Sequence, residues 1–143
     1  FLDYCNQFDN NYLFQSKDPS RFLEFIGHPV MRKSVLCTTL ETNVFYPDIV
    51  RHAPNTRKRA KAMQKLANLG MRTYVTCEPL IQFDLFEMVE LVRMCFPVQV
   101  NIGRNSRQDI TLPEPTRNEV QALITGLQKF TRVVVKSNAK CWI

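Results

Sequence analysis

Charged and amide side chains recur in this sequence directly after short runs of strand-forming residues. In the clearest case, the β-branched and aromatic run 73–77 leads into Glu78 and Pro79. Because Pro79 has no N–H, the sheet ladder should stop there and leave the Glu78 carboxylate at the edge of the sheet. Side chains of the same kinds follow the other predicted strands: Lys17, Glu41, Asn43, Asn101, Asn105, Lys136 and Asn138. Since α/β folds keep their sites at the carboxyl ends of strands, these are candidate site residues, with a solvated ring of salt bridges as the alternative.

Strand-like and helix-like segments alternate along the chain. The predicted strands are Tyr12–Gln15, Ser34–Leu40, Thr73–Cys77, Val98–Ile102 and Val133–Val135. Helices are predicted to begin at Asp18 or Ser20, at Thr56, at Asp84 and at Thr116, and the last two starts carry capping-box patterns with Glu87 and Glu119. The alternation predicts an α/β fold with a parallel sheet in sequential order. A complete eight-unit barrel takes about 250 residues, so these βα repeats form either a partial, half TIM-type barrel or an open sheet.

The length of 143 residues, with 45% hydrophobic composition, suits one domain. We expect a single α/β domain over 1–143 that is part of a larger barrel, with residues 1–11 as an irregular lead-in. The chain begins with Phe1 instead of Met, which fits processing or a piece of a longer protein. Residues 44–55 contain Pro47 and Pro54 and should form a long loop on the same side as the strand ends.

Positive charge dominates the composition and gathers at one predicted helix start. Lys and Arg number 19 against 13 Asp and Glu, a formal net charge of +6, which favours anionic partners. Arg57, Lys58, Arg59 and Lys61 stand in the first turns of the helix from Thr56, where the macrodipole prefers acids. Nucleic acid bound there would compensate them, and a solvated basic face is the alternative. The segment 103–107, with Arg104, could likewise hold a phosphate group.

The cysteines and histidines do not form a recognisable metal or disulfide pattern. Five cysteines occur without CxxC or CxxxCxxC spacing, which indicates reduced thiols in a cytoplasmic protein. Neither His28 nor His52 belongs to a His/Cys cluster with metal-site spacing, so no metal site is predicted. No nucleophile-elbow pattern, no signal peptide and no long apolar run is present in the sequence.

Taken in order, several motifs resemble those of one protein family. YLFQSKDPSRF, LETN, CEPLIQFD, VNIG with LPEP downstream, and VVVKSN are similar to the carboxyl-terminal half of phage-borne and bacterial radical SAM-like proteins, distantly similar to spore photoproduct lyase. The resemblance covers nearly the whole chain. It implies a partial TIM-type barrel with S-adenosylmethionine and a [4Fe–4S] iron–sulfur cluster at its carboxyl-terminal rim. It also implies cofactor-binding roles for Glu41, Asn43, Glu78 and Asn101, the first two near the ribose or methionine part.

The sequence departs from this family at the cluster. The family binds its cluster through a CxxxCxxC loop, which this sequence lacks, so the chain alone should not cleave the cofactor reductively. One hypothesis is therefore the carboxyl-terminal part of a radical enzyme, with the cluster-bearing strands upstream or on another chain. The other is a non-catalytic module that binds nucleic acid or a protein through a basic rim. The substrate- or anion-binding candidates are Lys17, Arg57, Lys58, Arg59, Arg104, Lys136 and Asn138.

A half barrel also has two open edges, at its first and last strands. We expect either self-association through these edges or a lead-in that folds back over the first strand with Phe1, Tyr4 and Phe8.

Overall fold

The computed structural model describes residues 1–50, 52–107 and 109–143, with the side chain of Val50 also outside the description. Its five strands are β1 (Tyr12–Gln15), β2 (Ser34–Thr39), β3 (Arg72–Cys77), β4 (Gln99–Ile102) and β5 (Arg132–Val135). Its α-helices are α1 (Leu2–Asn6), α2 (Pro29–Arg32), α3 (Pro47–Val50), α4 (Thr56–Asn68), α5 (Leu85–Arg93) and α6 (Arg117–Gln128). Two 3₁₀ helices complete the described elements, Pro19–Phe25 and Ser137–Trp142.

All five strands are parallel and lie in one sheet in the order β1-β2-β3-β4-β5. The α/β class and the sequential order predicted from the sequence are thereby confirmed. Right-handed crossovers in this order place the connecting helices on one face of the sheet, as in a segment of a barrel. Every strand consequently ends at the same edge, which we call the rim.

Three short helices were not expected from the sequence. The lead-in, expected to be irregular, contains α1, and Pro29 opens α2. Pro47 opens α3, so the segment 44–55 is not the continuous loop that was predicted. Proline suits the first turn of a helix because its missing N–H would have no intrahelical partner there. At α2 the Nδ1 of His28 accepts from the backbone N–H of Val30 at 3.3 Å and completes the start.

The core lies between the helices and one face of the sheet. The strand residues Leu36, Val75, Val100 and Ile102 are at most 1% exposed. They belong to one apolar cluster with side chains of the three longer helices, among them Met63, Leu66, Met88, Leu123 and Leu127. Burying each such aliphatic side chain contributes about 1.5–3 kcal/mol. This packing fixes the direction in which the alternate strand residues must point.

Those alternate residues form the opposite face of the sheet, here called the inner face. The strand register places Thr39, Thr76, Asn101 and Val134 side by side on it. We call Thr39, Thr76 and Asn101 the polar row. Two residues after Thr39, Thr76 and Val134 come Glu41, Glu78 and Lys136. Because side chains alternate between the two faces of a strand, these three lie on the inner face as well, one level nearer the rim.

The lead-in does fold back onto the β1 end of the molecule. The Tyr12 hydroxyl donates to the carbonyl of Cys5 at 2.8 Å, and the Phe1 and Phe14 rings meet edge to face with centroids 6.1 Å apart. Phe1, Tyr4 and Phe8 nevertheless stay 86%, 63% and 43% exposed. Their aromatic surface therefore remains accessible beside β1.

Candidate functional site

Glu41 follows β2 and is the buried charge of the rim. Its Oε1 lies 2.5 Å from Lys17 Nζ, and its Oε2 lies 2.8 Å from Arg59 Nη1. Arg59 is 1% exposed and also donates to the carbonyls of Thr39 and Pro54 at 2.9 and 2.6 Å. Arg59 thus ties Glu41 to the loop before α4. Unlike its neighbours Arg57 and Lys58, it does not extend into solvent at the helix start.

Glu78 follows β3 and is held differently. Its Oε2 forms an ion pair with Lys136 from the end of β5, and its Oε1 accepts from Asn138 Nδ2 at 3.1 Å. The carboxyl group lies directly over Gly103, where a Cβ atom would come within 2.7 Å of it. The ends of β3, β4 and β5 therefore meet at this carboxylate, and only glycine at 103 leaves room for it.

Asn43 has a structural partner at the start of α5. Its Oδ1 accepts from the backbone N–H of Asp84 at 2.9 Å, and its Nδ2 donates to Glu87 Oε2 at 3.1 Å. The side chain of Asp84 accepts a hydrogen bond from the backbone N–H of Glu87, which is one half of the predicted capping box. In the other half, the backbone N–H of Asp84 would donate to the Glu87 side chain, but it donates to Asn43 instead. The prediction of a complete box at Asp84 was therefore wrong, while the box at Thr116 and Glu119 is confirmed.

Asn101 lies in β4 on the inner face, one level below the rim. Its Oδ1 accepts from Gln99 Nε2 at 2.7 Å. Its neighbour Thr76 is 4% exposed, and Thr76 Oγ1 has no hydrogen-bond partner among the described residues. The other neighbour in the polar row, Thr39, accepts from Gln15 Nε2 at 3.2 Å. The structure thus brings an uncharged hydrogen-bonding surface up against the charged rim.

The cations of segment 103–107 are paired with acids. Arg104 donates to Glu114 at 2.5 Å, and this hydrogen bond to the carboxylate is the main cause that raises the pKa of Arg104. Arg107 pairs with Asp109 at 2.6 Å, and that hydrogen bond lowers the pKa of Asp109. Asn105 shapes the turn by donating to the carbonyls of Arg107 and Ile110. Phosphate binding by this segment remains a prediction.

Two cavities open at the rim. One of about 300 Å³ is lined by Glu41, Asn43 and Arg57, and one of about 600 Å³ is lined by Glu78, Arg104 and Arg107. Ile49, in α3, lines both. Tyr46, directly before α3, lines the smaller cavity, and Asp48, in α3, lines the larger one. Sequence reasoning named none of these three residues, although the long loop with its prolines was the available signal.

The thiols do not gather at this site. Cys5, Cys37, Cys77 and Cys95 are buried and Cys141 is exposed. Burial is the main cause that raises the pKa of Cys37 to about 11 and that of Cys95 to about 12, and it also raises the pKa of Cys77. Within the described ranges, no three His, Cys, Asp or Glu residues are placed to hold a metal ion. The described residues thus bring no three such ligands together.

The rim combines carboxylates with ammonium groups, since Glu41 pairs with Lys17 and Glu78 with Lys136. One level below, the Thr76 hydroxyl has no hydrogen-bond partner among the described residues.

Comparisons with known proteins do not identify the chain: no family model, no curated protein and no solved structure matches it. In the part of the chain that the structure describes, no helix has the length and apolar character needed to cross a membrane.

Proposed function

We propose that this chain is the carboxyl-terminal part of a radical SAM-type enzyme barrel, whose rim binds S-adenosylmethionine or the substrate. One observation supports this most: Glu41 and Glu78, at the ends of the adjacent strands β2 and β3, are each held on the same rim by partners from other strand ends. Carboxyl ends of parallel strands are the usual place for a site in such folds.

In this proposal the chain's own residues bind and orient the cofactor. Glu41 and Glu78 accept hydrogen bonds from its ammonium or ribose hydroxyl groups, and Lys17 and Lys136 attract its carboxylate. Asn43 acts indirectly, because it fixes the start of α5 beside the smaller rim cavity. The chemistry of the bound cofactor in such enzymes is reductive cleavage, which needs electrons from a cluster. We assign no catalytic residue in this chain.

A second segment or another chain is needed in this proposal to supply the cluster. The free edges of β1 and β5 are where further parallel strands would extend the sheet. The exposed Phe1, Tyr4 and Leu13 give the β1 edge an apolar surface for such a neighbour. Self-association of the chain through the same edges is the alternative, and sedimentation analysis of the purified chain distinguishes a monomer from an assembly.

Calorimetric titration with S-adenosylmethionine tests the cofactor proposal. Saturable binding is expected for the wild type, and Glu78→Gln should weaken it about tenfold, the effect of about 1.4 kcal/mol. Glu90→Gln is the matched control, because Glu90 forms an exposed pair with Arg93 away from the rim. The absence of saturable binding, or equal losses in both variants, would count against the proposal.

A nucleic-acid-binding module is the second candidate, and α4 provides the observation for it. Arg57 and Lys58 are exposed at its start, its first turn holds no acid, and no ion pair among the described residues includes either side chain. Fluorescence anisotropy with a short single-stranded oligonucleotide tests this candidate. Oligonucleotide affinity that falls as the salt concentration rises, with a smaller salt dependence after Arg57→Gln and Lys58→Gln, would favour the nucleic-acid-binding module over the enzyme.

A further inference from the structure

A groove of about 690 Å³ lies between α5 and α6, on the side of these helices that faces away from the sheet. Each helix lines it with a row of residues at helical spacing: Phe86, Val89 and Arg93 from α5, and Ala122, Gly126 and Lys129 from α6. The helices approach closely at its floor, since a Cβ atom at Gly126 would lie 3.0 Å from the Val89 side chain. Phe86 borders the groove and is 76% exposed. An exposed aromatic side chain beside such a groove is typical of an interaction surface.

The charges of this groove are separated along the helices. Both helices begin at the rim end of the molecule, because each follows a strand of the same parallel sheet. Asp84, directly before α5, lies at the rim end of the groove, whereas Arg93 and Lys129 lie at the opposite end. Glu90 forms an ion pair with Arg93 at 3.0 Å, so the opposite end keeps a net positive charge. The groove is thus acidic at the end that carries Phe86 and basic at the other.

We infer that this groove is the interface of a homodimer, in which α5 and α6 of two copies pack around a two-fold axis perpendicular to α5. A two-fold interface must be self-complementary. Along α5, Phe86 and Arg93 lie on opposite sides of Val89, at about 4.5 and 6 Å from it. An axis near Val89 therefore places each Phe86 against the partner's Arg93 and brings each Asp84 towards the partner's Lys129.

Arg93 is arranged to receive such a ring. Its guanidinium already lies over the ring of Phe130, with the central carbon 4.4 Å from the ring centroid, yet its side chain is 48% exposed. A second ring on the exposed side adds a cation–π contact and removes apolar surface from water. The same chain thus carries the ring and, in the opposite order along one groove, the basic end that it fits. This arrangement favours a second copy over an unrelated partner as the occupant.

Sedimentation equilibrium of the full chain, with Phe86→Ser as the variant, tests the dimer. The wild type should show a monomer–dimer equilibrium. Phe86→Ser should raise the dissociation constant about a hundredfold, because each dimer loses two rings and each loss costs about tenfold. Phe1→Ser is the matched control, since Phe1 is 86% exposed but lies beside β1. Both side chains are exposed, so circular dichroism should show both variants folded.

A charge reversal tests the orientation of the two copies. Lys129→Glu should weaken the dimer about tenfold, because it places a carboxylate near the partner's Asp84. Lys65→Glu is the control: Lys65 is likewise exposed at the end of a helix, but on α4, away from the groove. Equal effects of these two variants overturn the inference.

Two further results would also overturn the inference. One is a wild-type chain that stays monomeric at high micromolar concentration. The other is an assembly that Phe1→Ser weakens as much as Phe86→Ser, which would indicate association through the strand edges. None of these outcomes bears on cofactor binding at the rim, because the groove lies on the helix side of the sheet.

Discussion

Glu41 and Glu78 are carboxylates at neighbouring strand ends, yet their surroundings give them different tasks. Glu41 has an 8% exposed side chain between a half-exposed lysine and a fully buried arginine. Glu78 is more exposed, at 24%, and its partners are Lys136 and Asn138. The free-energy cost of disturbing a charge pair rises with burial, so Glu41 should matter more for stability.

Glu41→Gln should therefore destabilise the fold strongly. The substitution leaves the Arg59 guanidinium buried without its counter-charge, although two carbonyl contacts remain. We expect the free energy of unfolding to fall by an amount near the lower end of roughly 3–5 kcal/mol. Glu90→Gln, in an exposed pair with Arg93, should cost about 0.2–1 kcal/mol. Urea unfolding measures both free energies, and equal values would contradict the account of Arg59.

Gly103→Ala tests the close approach of Glu78 to the β4 end. The added methyl group would lie 2.7 Å from the Glu78 carboxyl carbon, so the side chain must move away from Lys136 and Asn138. We expect a loss of about 1–3 kcal/mol in unfolding free energy, as for other overpacked sites. Gly27→Ala is the control, since nothing lies within 4 Å of its added Cβ. Similar stability of the two variants would show that the crowding is unimportant.

The buried thiols predict both a reactivity order and a pH dependence. Cys141 is exposed and should react first with a thiol reagent in the native state, while Cys37, Cys77 and Cys95 should react only on unfolding. The pKa of Cys37 is raised from 9.0 to about 11, so the unfolded state ionises first as pH rises. The stability from this group is complete below pH 9.0 and is lost as pH rises towards 11.

Mass spectrometry after brief alkylation identifies the reactive cysteines, and urea midpoints at several alkaline pH values measure the stability. Fast labelling of Cys37 or Cys95 in the native state would contradict the reactivity order. Urea midpoints that increase as the pH is raised above 9.0 would contradict the pH dependence.

At the scale of elements, helix starts were predictable where the capping partners are close in sequence. The box of Thr116 and Glu119 is complete because both partners lie within one turn. At Asp84 a residue 41 positions earlier in the chain, Asn43, takes over one half of the box. No local pattern shows such a partner, since only the sheet brings the end of β2 beside the start of α5.

The buried face of α5 shows a second limit of local patterns. The sequence of this helix is apolar at most positions, so more than one stripe has helical spacing. The side chains that are buried are Met88, Leu91 and Val92, whereas Leu85 and Phe86 are 40% and 76% exposed. Packing against the sheet and α6 selects among these stripes. Periodicity thus predicts that the helix exists but not which side it buries.

At the scale of the whole molecule, the regular alternation of strands and helices was sufficient to predict the sheet. Because β-α-β crossovers are right-handed, consecutive strands add side by side in one parallel sheet. All strands then end at the same edge, which is the rim. The pairing within the rim was not predictable, because the contact of Arg59 with Glu41 and of Lys136 with Glu78 depends on side-chain placement across distant segments. The orphaned hydroxyl of Thr76 has no sequence signal at all.

The scattered thiols predict that the purified chain takes up no iron–sulfur cluster by itself. Cluster ligation needs several thiolates in one place, and the pKa values of Cys37, Cys77 and Cys95 are raised by burial. Anaerobic reconstitution followed by iron and sulfide analysis checks this expectation. Stoichiometric iron and sulfide that are lost on substitution of particular cysteines would refute it.

The most direct measurement for the rim proposal is a titration of the isotope-labelled chain with S-adenosylmethionine, followed by amide chemical shifts. Our account predicts saturable shifts concentrated at the strand ends, in segments 39–43, 76–79 and 101–104, with little change in the outer half of α4 or α6. Shifts confined to the exposed start of α4, or no saturable shifts at all, would contradict it.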